Sequence, residues 1–213
     1  MEASFWHKKW EQGDIGFHRT QANPLLVEHV EKLGQVKGSR ILLPLCGMTL
    51  DISWLLSQGF RVVGIELSAF AVNELFKELG LEPKIAPIGN LLHYSSNDID
   101  IFVGDIFDAS HEYLGTINAI YDRAALVALP EETRQKYASH LINLTDGASQ
   151  LLIVYEYDQL LMDGPPFSVD THEIERLYGT IYRLKLVERK RVAGGLKGKV
   201  ASVESVWLLQ PNR

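Results

Sequence analysis

One cysteine, Cys46, stands in 213 residues, so no disulfide can close within the chain. Basic residues have no surplus either: 21 Lys and Arg face 27 Asp and Glu, a formal charge of −6, and the cations are scattered. That excludes the basic patch of a nucleic-acid binder and points to a small-molecule partner. The seven histidines fall in neither His-Glu-x-x-His nor Cys-x-x-Cys spacing, so no metal is expected. No apolar run approaches the roughly 18 residues of a membrane span, and the opening M-E-A-S-F-W-H-K-K-W has no secretory h-region. A cytoplasmic protein is expected. Repeats, low-complexity tracts and linkers are missing too, and a chain that is 46% apolar buries a full core, so residues 1–213 are expected to form a single domain.

What is present is a rhythm. Strand-like apolar runs at 40–43, 61–66, 99–104, 118–122 and 150–157 alternate with amphipathic stretches, the pattern of a parallel sheet covered on both faces. Helix signals lie between them. Asn23 precedes Pro24, Ser68 precedes a helix over 69–79 that Gly80 stops, and Asp170 with Glu173 has capping-box spacing ahead of a helix over 171–178. Near the end the rhythm breaks. Segments 183–192 and 201–209 are both strand-like, and G-G-L-K-G-K between them is too short for a parallel crossover, so they form an antiparallel hairpin. The expected fold is α/β: a Rossmann-like, seven-stranded, mostly parallel sheet with an antiparallel C-terminal hairpin and helices on both faces. That architecture is the one of class I S-adenosylmethionine-dependent methyltransferases, an analogy of fold that the site must support.

The first strand runs into P-L-C-G at Pro44 to Gly47, where a nucleotide-binding α/β domain grips its ligand. A diphosphate would need a glycine-rich turn at a helix N-terminus, and only one glycine is here. A loop of Pro44, Leu45 and a single Gly47 suits a ligand without phosphates. Glu66, 22 positions past Pro44 at the end of V-V-G-I-E, is placed to accept hydrogen bonds from a ribose diol, or merely starts the next turn. In F-V-G-D-I-F-D, Asp105 and Ile106 follow the third strand, where the class I fold analogy sets adenine, Asp105 meeting its amine or accepting a backbone donor and Ile106 packing on its ring; an ordinary strand-to-turn exit is the other reading. Arg123, in I-Y-D-R-A-A-L, ends the fourth strand; its fork can take a carboxylate, or pair with Asp122 as a surface arginine would. D-G-P-P-F at 163–167 echoes a motif of amino-directed DNA methyltransferases, but it follows the fifth strand, not the fourth. Pro165 and Pro166 therefore read as a stiff loop at the mouth of the site, with Phe167 offering a flat face to an aromatic substrate.

Taken in order, F-W-H-K-K-W with D-I-G-F-H-R, P-L-C-G, V-V-G-I-E-L-S, I-Y-D-R-A-A-L-V-A-L, G-P-P-F and H-E-I-E-R-L-Y-G resemble the thiopurine S-methyltransferase family from about residue 4 to 209. The resemblance implies S-adenosyl-L-methionine as cofactor, leaving as S-adenosyl-L-homocysteine. It implies a helical flap at residues 1–35 carrying Trp6, Trp10 and Phe17, with further cofactor contacts at Leu45, Glu66, Asp105, Ile106 and Arg123, and an acceptor flanked by Phe17, Pro165, Pro166 and Phe167. The short G-G-L-K-G-K hairpin departs from a longer loop that carries a basic residue in animal members.

The implied reaction is an in-line displacement at a sulfonium methyl by sulfur, in which alignment and dryness matter more than proton transfer. It accounts for the lack of a catalytic dyad, since an aromatic thiol supplies its own thiolate; Cys46 reads as a small buried filler. Arg123 orients the acceptor thiolate or anchors the methionine carboxylate. Trp6 and Trp10, four apart on one helical face, dock the flap or hold the sulfonium by about 0.5–2 kcal/mol of cation-π attraction. Three other readings stand beside this one: a detoxifying methyltransferase for inorganic selenium or tellurium, an NAD-dependent oxidoreductase, and a cofactor-binding protein without chemistry. A monomer is expected.

Overall fold

Apolar segments rich in Ile, Leu and Val have to be covered from water, and each one read from the sequence is a strand in the computed structural model, which describes residues 3–12 and 21–212. The chain divides into two compact units, Met1–Ala119 and Ile120–Arg213. Among the described residues the first unit carries five strands and the second four.

The first unit holds β1 (Arg40–Pro44), β2 (Arg61–Glu66), β3 (Lys84–Ile88), β4 (Leu91–Ser96) and β5 (Ile99–Val103), in the order β3-β4-β5-β2-β1. β1, β2 and β5 are parallel, with Pro44 opposite Ile65 and Glu66 opposite Val103, so these three strands end side by side. Helices α1 (Ala3–Glu11), α2 (Pro24–His29), α3 (Leu50–Ser57), α4 (Ala69–Glu78) and α5 (His111–Leu114) belong to the same unit. The caps are where the sequence puts them: Asn23 accepts from Leu25 N–H and Ser68 from Ala71 N–H.

The expected strand count of seven is corrected to nine, because β3 and β4 form an extra antiparallel hairpin that joins β5. Their sequence hides them. K-I-A-P-I is exposed along nearly its whole length and contains a proline, both suited to an edge strand, and L-L-H-Y-S-S shows no clean alternation. The readable signal was the turn between them, Gly89-Asn90, with Gly89 at φ 56°.

The second unit holds β6 (Ala119–Arg123), α6 (Glu131–Thr145), β7 (Ser149–Tyr157), α7 (Thr171–Tyr178), β8 (Tyr182–Arg191) and β9 (Ser202–Pro211), with sheet order β6-β7-β9-β8. β9 is antiparallel to both neighbours, so the final strand returns between β7 and β8, as the hairpin requires. The outer strand β8 is studded with Arg183, Lys185, Glu188, Arg189 and Lys190, which blunt an open edge. No helix among the described residues is long and apolar enough to cross a membrane.

Gly64 shows how tightly the first unit is packed. A Cβ there would stand 2.5 Å from Ile101 Cδ1 and 2.8 Å from Cys46 Sγ. Gly64→Ala is therefore expected to cost about 1–3 kcal/mol of stability by overpacking, read from urea denaturation. Adding Cys46→Ala should recover part of the loss.

Candidate functional site

At the carboxyl ends of β1, β2 and β5, the chain makes three turns that the carboxylate of Glu66 and neighbouring backbone groups tie together. Glu66 is 5% exposed. Its Oε2 accepts from Gly47 N–H at 2.7 Å and its Oε1 from Ser68 N–H at 2.8 Å. The backbone continues the tie: Gly104 N–H donates to Glu66 C=O at 2.9 Å, and Cys46 N–H to Ile65 C=O at 3.0 Å. Burial pushes the Glu66 carboxyl up from its ordinary range, while the N–H groups of Ser68, Gly47 and Leu67 pull it back.

The first loop is strained to make this possible. Leu45 has φ 48°, a left-handed conformation that disfavours any residue with a Cβ, and Gly47 follows at φ 56°. Gly47 also has no room for a side chain, because a Cβ would meet Trp10 Cζ2 at 2.8 Å. Trp10 is buried, so α1 docks its indole on the P-L-C-G loop, while Trp6 is half-buried. Cys46 is buried, and burial together with the charge of Glu66 raises its thiol well above the ordinary value. It is a neutral filler against Gly64, as its neighbours in the sequence implied.

Past β5, Asp105 is exposed and its Oδ1 accepts from Phe107 N–H at 2.9 Å, capping the short turn Ile106–Asp108; Ile106 beside it is buried. Trp10, Leu45, Glu66, Asp105 and Ile106 thus stand on neighbouring strand ends or against the loop between them. Phe17 lies outside the described residues.

In the second unit, β6 ends at the half-buried Arg123, followed by Ala124 in a left-handed conformation with φ 63°. Asp122 turns to the other face of the strand and is fully buried. It accepts from Leu126 N–H at 3.1 Å and from the Tyr137 hydroxyl of α6 at 2.7 Å. Burial pushes its carboxyl up to about 6.

Pro165, Pro166 and Phe167 are held through their backbones. Phe167 N–H donates to Val127 C=O at 2.6 Å, the Tyr157 hydroxyl to Pro166 C=O at 2.7 Å, and Lys197 Nζ to Pro165 C=O at 2.8 Å. The Phe167 ring lies against Gly164, with the Arg134 guanidinium 5.8 Å from its centroid. Sequence reasoning missed Arg134 and misjudged Glu173. Asp170 does accept from Glu173 N–H at 2.8 Å, but the Glu173 carboxylate pairs with Arg134 instead of closing a capping box. The signal for Arg134 was available: with Tyr137, Ala138, Leu141 and Leu144 it lies on the buried stripe of α6.

The chain matches the thiopurine S-methyltransferase family over residues 1–209. It belongs to the thiopurine S-methyltransferase family. Among its relatives, the thiopurine S-methyltransferase of Teredinibacter turnerae is 53% identical over 212 residues, covering 100% of this chain and 99% of that protein. That of Xanthobacter autotrophicus is 50% identical over 211 residues, 99% of each. Among solved structures, an S-adenosylmethionine-dependent methyltransferase from Anabaena variabilis shares the fold with TM-score 0.64 at 17% identity, over 99% of this chain and 95% of that one. A Burkholderia thailandensis 1,6-didemethyltoxoflavin N1-methyltransferase, solved with S-adenosylhomocysteine, shares it with TM-score 0.64 at 15% identity, over 98% and 87%.

The raised Asp122 carboxyl has a consequence for stability in this member of the family. Folded Asp122 holds its proton up to about pH 6, against 3.8 for an ordinary Asp. Its contribution is therefore complete below pH 4 and is lost as pH rises through 6. Glu66 and Glu173 are also raised and act in the same direction. Unfolding free energy should fall between pH 4 and 7. Asp122→Asn, which keeps a polar partner for Leu126 and Tyr137, should remove roughly 3 kcal/mol of that fall. Urea titrations at several pH values check it, and an unchanged slope refutes it.

Proposed function

We propose that the chain moves the methyl group of S-adenosyl-L-methionine to the sulfur of aromatic and heterocyclic thiols, thiopurines among them. The observation that carries this reading is the buried Glu66 carboxylate, tied to a first loop that has a single glycine. The Glu66 oxygens accept from Gly47 and Ser68 N–H, and a carboxylate with about four acceptor positions keeps capacity for a ribose diol. The loop offers no glycine-rich turn for a diphosphate, which suits an adenosyl ligand over a dinucleotide. The residues present fit the cofactor, which when bound supplies an electrophilic methyl on a sulfonium.

In the first unit, Glu66 holds the ribose and Leu45 borders the amino-acid tail. Ile106 packs on adenine, and Asp105 offers its second carboxylate oxygen to the exocyclic amine. Trp6, Trp10 and Phe17, on a flap at residues 1–35, exclude water and favour the cation by their ring faces. Burial of Trp10 against Gly47 supports that flap. In the second unit, Arg123 orients the acceptor thiolate and holds the methionine carboxylate, and Pro165, Pro166 and Phe167 flank the acceptor ring. The carbonyls of Pro165 and Pro166 and the N–H of Phe167 are all engaged, which favours a rigid wall. The acceptor arrives as a thiolate and needs no base. The chain acts as a monomer.

Calorimetry with S-adenosylhomocysteine, with NAD as control, tests the reading: one-to-one binding of the first alone is expected, and binding of NAD alone overturns it. Glu66→Ala should weaken S-adenosylhomocysteine binding by about 1.5–3 kcal/mol through lost charge-assisted bonds. Unchanged affinity would remove Glu66 from the ribose. Arg123→Ala should lower kcat for a thiopurine more than it lowers cofactor affinity. A normal saturated rate with weaker affinity would place Arg123 on the cofactor alone.

A further inference from the structure

One buried guanidinium in the second unit bonds to three segments beside the Pro165–Phe167 wall, at Leu129, Ser168 and Glu173. Arg134 stands on the core-facing stripe of α6 and is only 3% exposed. Its Nε donates to Leu129 C=O at 2.8 Å, at the end of the turn that follows Arg123. Its Nη1 donates to Ser168 C=O at 3.2 Å, one residue past the wall. It also pairs with the Glu173 carboxylate of α7 and stands over the Phe167 ring at 5.8 Å. Arg134, Phe167 and Ser168 line one open cleft of about 670 Å³.

Such a fork serves several acceptors at once because its donors are rigid and point in different directions. A lysine ammonium is a compact charge that cannot span them. The Leu126–Leu129 turn is also the one whose Val127 C=O holds Phe167 N–H, so Arg134 fixes both ends of that bond to α6. Glu173 in turn holds the guanidinium on α7, and a second arginine, Arg176, reaches Glu173 at 3.3 Å.

We propose that Arg134 is a positioning residue that sets acceptor preference: by clamping the Leu129 carbonyl, the Ser168 carbonyl and Glu173 it holds the Phe167 wall at the spacing needed by a bicyclic aromatic thiol. The inference rests on the acceptor lying against Pro165–Phe167. It predicts an effect on acceptor recognition that leaves the cofactor untouched, since Arg134 bonds to groups of the second unit and touches none of the residues assigned to the adenosyl ligand.

The test compares wild type, Arg134→Lys, Glu173→Ala and Glu173→Gln. Each is assayed for kcat and KM with a thiopurine and with the monocyclic thiophenol, and for S-adenosylhomocysteine affinity by calorimetry. Arg134→Lys should raise the thiopurine KM tenfold or more, raise the thiophenol KM less than threefold, and leave S-adenosylhomocysteine affinity within twofold. Glu173→Gln, which keeps an acceptor for Arg134, should stay within threefold of wild type for both thiols. Glu173→Ala should fall between the two; it leaves Arg134 in place and carries the test if Arg134→Lys does not fold. An unchanged ratio of the two KM values in Arg134→Lys, or in Glu173→Ala where that variant stands in, overturns the inference. So does a parallel loss of cofactor affinity, the mark of a merely structural role. If wild type binds S-adenosylhomocysteine and methylates both thiols, these failures count against Arg134 alone. If wild type does neither, the proposed function falls and takes this inference with it.

Discussion

The buried carboxylate of Glu66 is the interaction on which the turns at the carboxyl ends of β1, β2 and β5 depend. Backbone N–H groups at Gly47 and Ser68, in two different turns, both need an acceptor away from water, and Glu66 is the one side chain placed to serve them. Its own burial is unfavourable, as its raised carboxyl shows, and the paired N–H groups offset that cost. Geometry follows from the bond. With Gly47 held to β2, Leu45 is forced into a left-handed conformation and Gly47 into a place where only hydrogen fits beside Trp10. Strain of this kind persists only where the surroundings over-determine it, and it collects at sites that have work to do.

The second unit solves a similar problem with α6. Along one stripe this helix sends Tyr137 to Asp122 and Arg134 to Leu129, Ser168 and Glu173, so the turn after β6 and the segment after Phe167 are both referenced to one rigid element. Burial works against the charges here too, raising Glu173 and lowering Arg134, while each charge opposes the shift in its partner. Removing one member would leave the other buried without its counter-charge, which costs far more than deleting both. The arrangement therefore favours one registration of the Pro165–Phe167 segment over its alternatives.

Much of this was legible beforehand, and the reasons are local. Strands β1, β2, β5 and β7 announce themselves by runs rich in Ile, Leu and Val, and α2, α4 and α7 by the N-caps Asn23, Ser68 and Asp170, which the structure uses as expected. The positions of Glu66, Asp105 and Arg123, at or just past strand ends, were readable from the apolar runs that precede them. The β3–β4 hairpin was not readable, since an exposed edge needs no apolar pattern. Nor was the start of α6, whose N-cap is Pro130 with no side-chain hydrogen bond to mark it. Arg134 escaped notice because an arginine among charged neighbours, E-E-T-R-Q-K, reads as a solvated face until Tyr137, Ala138 and Leu141 are seen to lie on its own side of the helix.

The amino-acid sequence by itself determined the α/β rhythm, the reversed last strand, the family and the chemical types at the strand ends, because each is written in neighbours along the chain: periodicity, caps, turn lengths and motif order. Only the tertiary structure decided which polar groups share a bond. Glu66 could serve a turn or a ligand, Glu173 could close a capping box or pair with an arginine 39 positions away, and Trp10 could face water or the first loop. Those choices are made by burial, since a charge or an N–H group removed from water must take whichever partner the packed chain brings within reach.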